Sequence, residues 1–232
     1  MVALVLLPGL DGTGQMFADF VAAFGPEVKT IVASYPSNTP LGYAELEPIA
    51  RSFLPHDQPF YLLAESFSGP IAISIAASSP PGLLGLILCC SFACNPLPLL
   101  ALFRPVVRIA PVSALPMALL SFFVLGRFAS PSLRGALASA LALVSPSVLR
   151  ARACAALSAN VSALLPCIKV PVLYLRASED RIVPRSSSAF IASLAQNAKV
   201  AEFAAPHFLL QVVPSQAASS VSSFMGVGSG VL

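Results

Sequence analysis

The sequence predicts an α/β protein: a mostly parallel sheet of about six strands flanked by helices, with a helical insertion after the fourth strand. Three observations predict it. Short apolar runs closed by Pro, Gly or Ser alternate with stretches of helical periodicity, the signature of strands and helices in turn. Apolar residues make up 56% of the 232 and charged residues only 10%, where ordinary soluble domains carry about 25% charged. The alternation breaks once, from Asn95 to Pro166, over a stretch rich in Ala, Leu, Pro and Arg with no clear strand. A loop that long is unusual inside one domain, so residues 95–166 read as a helical cap, or lid, on a core formed by residues 1–94 and 167–232.

The elements follow in order. Val2–Leu7 is a buried strand ending at Pro8-Gly9. Thr13–Phe24 has helical spacing, with Thr13 placed to cap it. Val28–Ser34 is a second strand and Leu41–Leu54 a second helix. Pro59–Ala64 is a third strand, followed by a Ser-rich turn and a helix over Ser68–Ser78. Leu83–Cys90, Val170–Ala177 and Ala198–Phe203 complete the strands, and Ser186–Leu194 and Leu209–Phe224 are the last helices. Strands alternating with helices imply a parallel sheet covered on both faces.

Composition excludes a disordered chain, a coiled coil and a basic nucleic-acid binder. A spanning helix needs about 20 apolar residues. Gly82–Phe103 is interrupted by Asn95, Pro96 and Pro98, and Ile109–Gly126 by Pro111 and Pro116, so neither reads as a span. The first residues lack a basic signal-peptide region, and the expected compartment is the cytoplasm. The five cysteines form no C-x-x-C pair, and neither histidine lies near one in sequence; no metal and no organic cofactor is expected. The net charge of +3 conceals an asymmetry. Ser66–Arg176 holds eight bases and no acid: Arg104, Arg108, Arg127, Arg134, Arg150, Arg152, Lys169 and Arg176. A basic, apolar cap surface would suit an acidic carrier protein or an anionic membrane.

Chemistry concentrates in Tyr61–Pro70, Y-L-L-A-E-S-F-S-G-P. A strand, a tight turn with serine at its apex and a helix make a nucleophile elbow, whose flanking positions need small side chains. Ala64 and Ser68 stand there, and Gly69 follows. Ser66 fits the apex better than Ser68, which would be preceded by Phe67 and followed two residues later by Pro70. The loop L-L-P-G-L-D-G-T-G (Leu6–Gly14) lies between the first strand and a helix, where it can present an amide. The oxyanion donors are then the amides of Phe67 and Leu10. A serine nucleophile needs a base. His56 precedes the third strand and so lies at its far end from Ser66, whereas His207, in A-A-P-H-F, follows the sixth strand at the near end. Asp180, in A-S-E-D-R-I-V-P, supplies the carboxylate at that end, with Glu179 the runner-up; Asp19 and Asp57 are misplaced, and Asp11 lies too near the oxyanion loop to serve.

The order Ser…Asp…His, with L-P-G-L-D-G-T-G, A-E-S-F-S-G, S-E-D-R-I-V-P and P-H-F, resembles the α/β-hydrolase superfamily along nearly the whole chain. The loop and Glu-Ser elbow look like plant phytyl ester synthase-type acyltransferases. The size and cap resemble small bacterial carboxylesterases, including the pimeloyl-carrier-protein methyl ester esterases. Pro8-Gly9 departs from the family's His-Gly. The resemblance implies a strand order 2-1-3-4-5-6, with Val2–Leu7 at the place of the family's third strand. It implies a serine carboxylesterase acting on short- to medium-chain acyl esters, with an acyltransferase or an acyl-carrier-protein or thioester hydrolase as alternatives.

Overall fold

The computed structural model describes residues 2–98 and 116–227. Arg104 and Arg108 of the acid-free segment lie outside these residues.

Six strands form one sheet in the order β2-β1-β3-β4-β5-β6: β1 (Val2–Leu7), β2 (Val28–Val32), β3 (Phe60–Glu65), β4 (Leu83–Cys89), β5 (Val172–Ala177) and β6 (Ala198–Phe203). All five pairings are parallel, the geometry the alternation of strands and helices demands. The apolar runs alternate their residues between two cores. Ala3, Val5, Leu62, Ala64, Leu86 and Leu88 face one core, built with α2 (Tyr43–Arg51), α3 (Gly69–Ala77) and α7 (Arg185–Leu194). Leu4, Leu6, Leu63, Ile87, Leu173 and Leu175 face the other, built with α1 (Ala18–Ala22), α8 (Leu209–Val212) and α9 (Pro214–Met225). Because every strand points the same way, the loops after β1, β3, β4, β5 and β6 emerge at one edge.

The insertion supplies α4 (Met117–Val124), α5 (Pro131–Ala142) and α6 (Pro146–Ala156). Proline opens both α5 and α6, where its missing N–H costs nothing. Ser130 accepts a hydrogen bond from the Leu133 amide at 3.1 Å and caps α5. The two ends of the insertion are fastened together. Asn95 N–H donates to Ala159 O and Val161 N–H to Ala93 O, both at 2.8 Å, closing an antiparallel bridge between Cys94 and Asn160.

Two helices differ from the sequence-based expectation. The stretch Thr13–Phe24 is a 3-10 turn, Gln15–Phe17, followed by the five-residue α1. Thr13 serves the 3-10 turn rather than α1: its hydroxyl accepts the Gln15 amide at 3.2 Å and donates to Asp11 Oδ2 at 2.5 Å. The helix expected over Leu209–Phe224 is two helices, α8 and α9. Pro214 forces Val213 out of the helical region, to φ −128° and ψ 53°.

Three of the bases in the acid-free segment are engaged within the fold. Arg127 pairs with Glu179 at 2.6 Å and Arg176 with Glu202 at 2.5 Å, while Arg152 is wholly buried. Among the described residues no single helix is long and apolar enough to cross a membrane.

The start of α3 packs without slack. A Cβ on Gly69 would lie 1.8 Å from Ser91 Oγ and 2.9 Å from Ser91 Cβ. Gly69→Ala is therefore expected to destabilise the protein by about 1–3 kcal/mol, lowering the melting temperature by roughly 3–10 °C. Thermal unfolding followed by circular dichroism checks this, and an unchanged melting temperature would show that the Ser91 contact yields.

Candidate active site

β3 ends at Glu65, and the chain turns at once through the 3-10 residues Ser66–Ser68 into α3. Ser66 has φ 47°, in the left-handed region that L-residues rarely occupy. The neighbouring strand does the same. Glu65 pairs with Cys89 in the ladder, and Cys90, the next residue of β4's chain, has φ 46°. Two adjacent strand ends thus turn alike. The turn at Ser66 is held through its carbonyl, which accepts from Ser91 Oγ at 2.6 Å. Ser91 is itself fixed by the Tyr174 hydroxyl, which accepts from its amide at 2.9 Å and donates to its carbonyl at 2.6 Å.

Ser66 Oγ lies 2.8 Å from His207 Nε2, and His207 Nδ1 lies 2.8 Å from Asp180 Oδ2. With Nδ1–H donating to the carboxylate, Nε2 is left to accept the Ser66 proton. The backbone beyond β5 and β6 brings the partners together. Ser178 N–H donates to Phe203 O at 2.9 Å and Glu179 N–H to Ala205 O at 3.0 Å, prolonging the ladder to the threshold of both residues. Asp180 Oδ1 accepts the amides of Ile182 and Val183 at 2.8 and 2.9 Å. Burial alone would raise the Asp180 pKa, but His207 and these amides outweigh it and hold the carboxyl below its ordinary value. Burial likewise opposes charge on His207, yet Asp180 and, more weakly, Glu65 prevail and raise its pKa.

The other candidates point elsewhere. Ser68 is fully buried and donates to the Pro8 carbonyl, while the Tyr35 hydroxyl donates to Ser68 Oγ at 2.8 Å. It ties the glycine loop to the elbow. Glu179 faces Arg127, and Asp11 accepts from the Thr13 amide at 2.9 Å. His56 is exposed in the loop before β3, at the opposite edge of the sheet.

The loop after β1 turns tightly, with Gly12 N–H donating to Gly9 O at 3.1 Å. Among the described residues the Leu10 N–H has no acceptor, which leaves it free for a ligand; Leu10 itself is half-buried. Phe67 is buried behind the elbow, its ring stacked on Tyr43 with centroids 4.8 Å apart.

Several residues at the site were not singled out from sequence. Ser91, Tyr35 and Tyr174 carry no local motif. Cys90, far from either histidine in sequence, places its sulfur with ligand atoms of Asp180 and His207 all within 4.8 Å of one another. Glu65, quoted only as part of the elbow, is buried and accepts from Gln211 Nε2 at 3.0 Å. Burial pushes its pKa up to about 7, with Asp11 adding to the rise and Gln211 and His207 opposing it.

No protein-family model and no curated protein matches the sequence. Solved structures do match in shape. An esterase from Exiguobacterium antarcticum superposes with a TM-score of 0.85 at 14% identity, over 97% of this chain and 92% of that one. The enol-lactonase of Burkholderia xenovorans LB400 gives 0.82 at 18% identity, over 97% and 91%. A thermophilic esterase from Thermogutta terrifontis gives 0.78 at 17% identity, over 97% and 89%. This chain has the α/β-hydrolase fold.

Within that fold the Glu65 carboxyl has a marked consequence for stability. Its folded pKa of about 7 exceeds the ordinary value of 4.5. Between these values the folded state holds a proton that the unfolded state has lost, so this group lowers stability as pH rises through the interval, by roughly 3 kcal/mol in all. Glu65→Gln removes that loss. Denaturant unfolding from pH 4.5 to 8 should show the variant gaining on the wild type as pH increases; parallel curves would refute the assignment.

Proposed function

We propose that the chain is a serine hydrolase that cleaves carboxylic esters of short- to medium-chain acyl groups. The observation that carries this reading is the continuous hydrogen-bonded line from Ser66 Oγ through His207 to the buried Asp180. The structural neighbours support it, since solved esterases and an enol-lactonase share the fold.

In this scheme Ser66 Oγ attacks the ester carbonyl as His207 Nε2 takes its proton. The tetrahedral oxyanion is received by the amides of Leu10 and Phe67. His207 then gives the proton to the leaving alcohol, and the acyl group remains on Ser66. Water, deprotonated by the same imidazole, attacks the acyl-serine and releases the acid. Asp180 holds the ring in the tautomer that leaves Nε2 free and stabilises its charged form. The insertion serves as the cap, and its apolar α4, with Leu119, Phe122 and Phe123 exposed, suits an acyl substrate.

Hydrolysis of p-nitrophenyl esters from acetate to decanoate tests the reading. Ser66→Ala should retain its fold and lose about 10⁴-fold or more in rate. The rate of the wild type should rise with pH as His207 loses its proton, with a midpoint above the 6.5 of an ordinary imidazole. Asp180→Asn should lower that midpoint, because the anion that raises it is gone. Full activity in Ser66→Ala would overturn the site. Hydrolysis that gives way to transesterification when an acceptor alcohol is added would favour acyl transfer over hydrolysis.

A further inference from the structure

Arg152 is the largest wholly buried side chain, yet it forms no ion pair within the described residues. It projects from α6 of the insertion. Its Nη1 donates to the carbonyls of Leu10 at 3.0 Å and Asp11 at 2.7 Å, and its Nη2 to the carbonyl of Pro36 at 2.9 Å. The guanidinium carbon stands 5.6 Å from the centroid of the Tyr35 ring, within cation–π range. The charge thus meets peptide dipoles and a π face, with Asp11 the nearby anion; burial still lowers the guanidinium pKa, against the opposing pull of Asp11 and Tyr35.

The loop is shaped around this group. Gly12 has φ +71°, and a Cβ there would lie 2.3 Å from Arg152 Nη1. On its other flank the loop is held by Ser68 at Pro8 O and by the Tyr35 amide, which donates to Gly12 O at 2.8 Å. From the insertion, Val144, Val148 and Leu149 pack against the Leu10 side chain, and among the described residues Arg152 alone hydrogen-bonds to the loop's backbone. The planar fork spans two successive carbonyls of the loop and one from the segment after β2, which an ammonium on a flexible stem does less well.

We propose that Arg152 is a positioning residue: by gripping the Leu10 and Asp11 carbonyls it fixes the Leu10 amide where the oxyanion forms. This rests on the serine-hydrolase reading and adds that the insertion sets the geometry of the oxyanion loop. Hydrogen-bond donors at such a site act only when held in place beforehand.

Phosphonylation by a fluorophosphonate tests it without the natural substrate. Ser66 Oγ bonds to phosphorus, the P–F bond breaks, fluoride leaves, and the serine proton passes to His207. Rates are measured against probe concentration for wild type, Ser66→Ala, Arg152→Lys and Arg152→Met. Wild type should label and Ser66→Ala should not. Arg152→Met should lose on the order of 10–100-fold in the limiting rate, with the half-saturating concentration changed by less than about threefold. Arg152→Lys should recover part of that loss, because it keeps the charge and one donor. Limiting rates equal to wild type in either folded variant overturn the proposal. So does a rise confined to the half-saturating concentration. Misfolding of both variants makes Arg152 a residue of the core alone, which also overturns it. Failure of the wild type to label is a separate result, and it removes the serine-hydrolase reading on which the proposal stands.

Discussion

The left-handed backbone at Ser66 is the constraint around which this edge of the protein is organised. An L-residue there costs about 1–2 kcal/mol, and such a conformation persists only where its surroundings over-determine it. Here they do so from three directions. Ser91 holds the Ser66 carbonyl, Ser68 fastens the next turn to Pro8, and Gly69 lets α3 press against Ser91. None of these positions admits a larger side chain without moving another. The small side chains of Ala64 and Ser68, on either side of Ser66, are fully buried.

Charge is scarce in this chain, and two of its carboxyls act on one imidazole. Asp180 contacts His207 directly, and Glu65 acts on it at longer range. Two full anions in so dry a place would repel each other. The burial that lifts Glu65 to about 7 keeps it largely protonated under mildly acidic conditions, so Asp180 alone then stabilises the imidazolium. Gln211 completes the arrangement, since its amide can donate to Glu65 in either protonation state, and its second bond to Met16 O anchors it to the loop before α1.

The strands were legible because each is an apolar run bounded by turn residues, and the sheet is buried on both faces. Ser66, Asp180 and His207 could be chosen because parallel strands carry all their following loops to one edge, which eliminates His56 by position. Thr13 does accept the first amide of the helical stretch, but that stretch opens as a 3-10 turn, and Asp11 two residues earlier takes the Thr13 proton. The division of the last helix was written in Pro214. Ser91 and Arg152 were not legible. One is a small polar residue whose role depends on a tyrosine 83 positions away; the other bonds to carbonyls, which every residue possesses and no sequence pattern marks.

The acid-free segment from Ser66 to Arg176 now has a physical meaning that its net charge concealed. Two arginines of the insertion, with no acid in their own stretch of chain, find their partners in the core. Arg127 crosses from the insertion to Glu179, beside Asp180. Arg152 crosses to the loop after β1. These contacts are not equal. The Arg127 pair is exposed, and solvent screening leaves such pairs little net stabilisation. Arg152 is dry, and leaving its carbonyls or its charge unmatched would cost several times more. Among the described residues the insertion therefore has a buried, charged anchor on the core at the loop that bears the Leu10 amide.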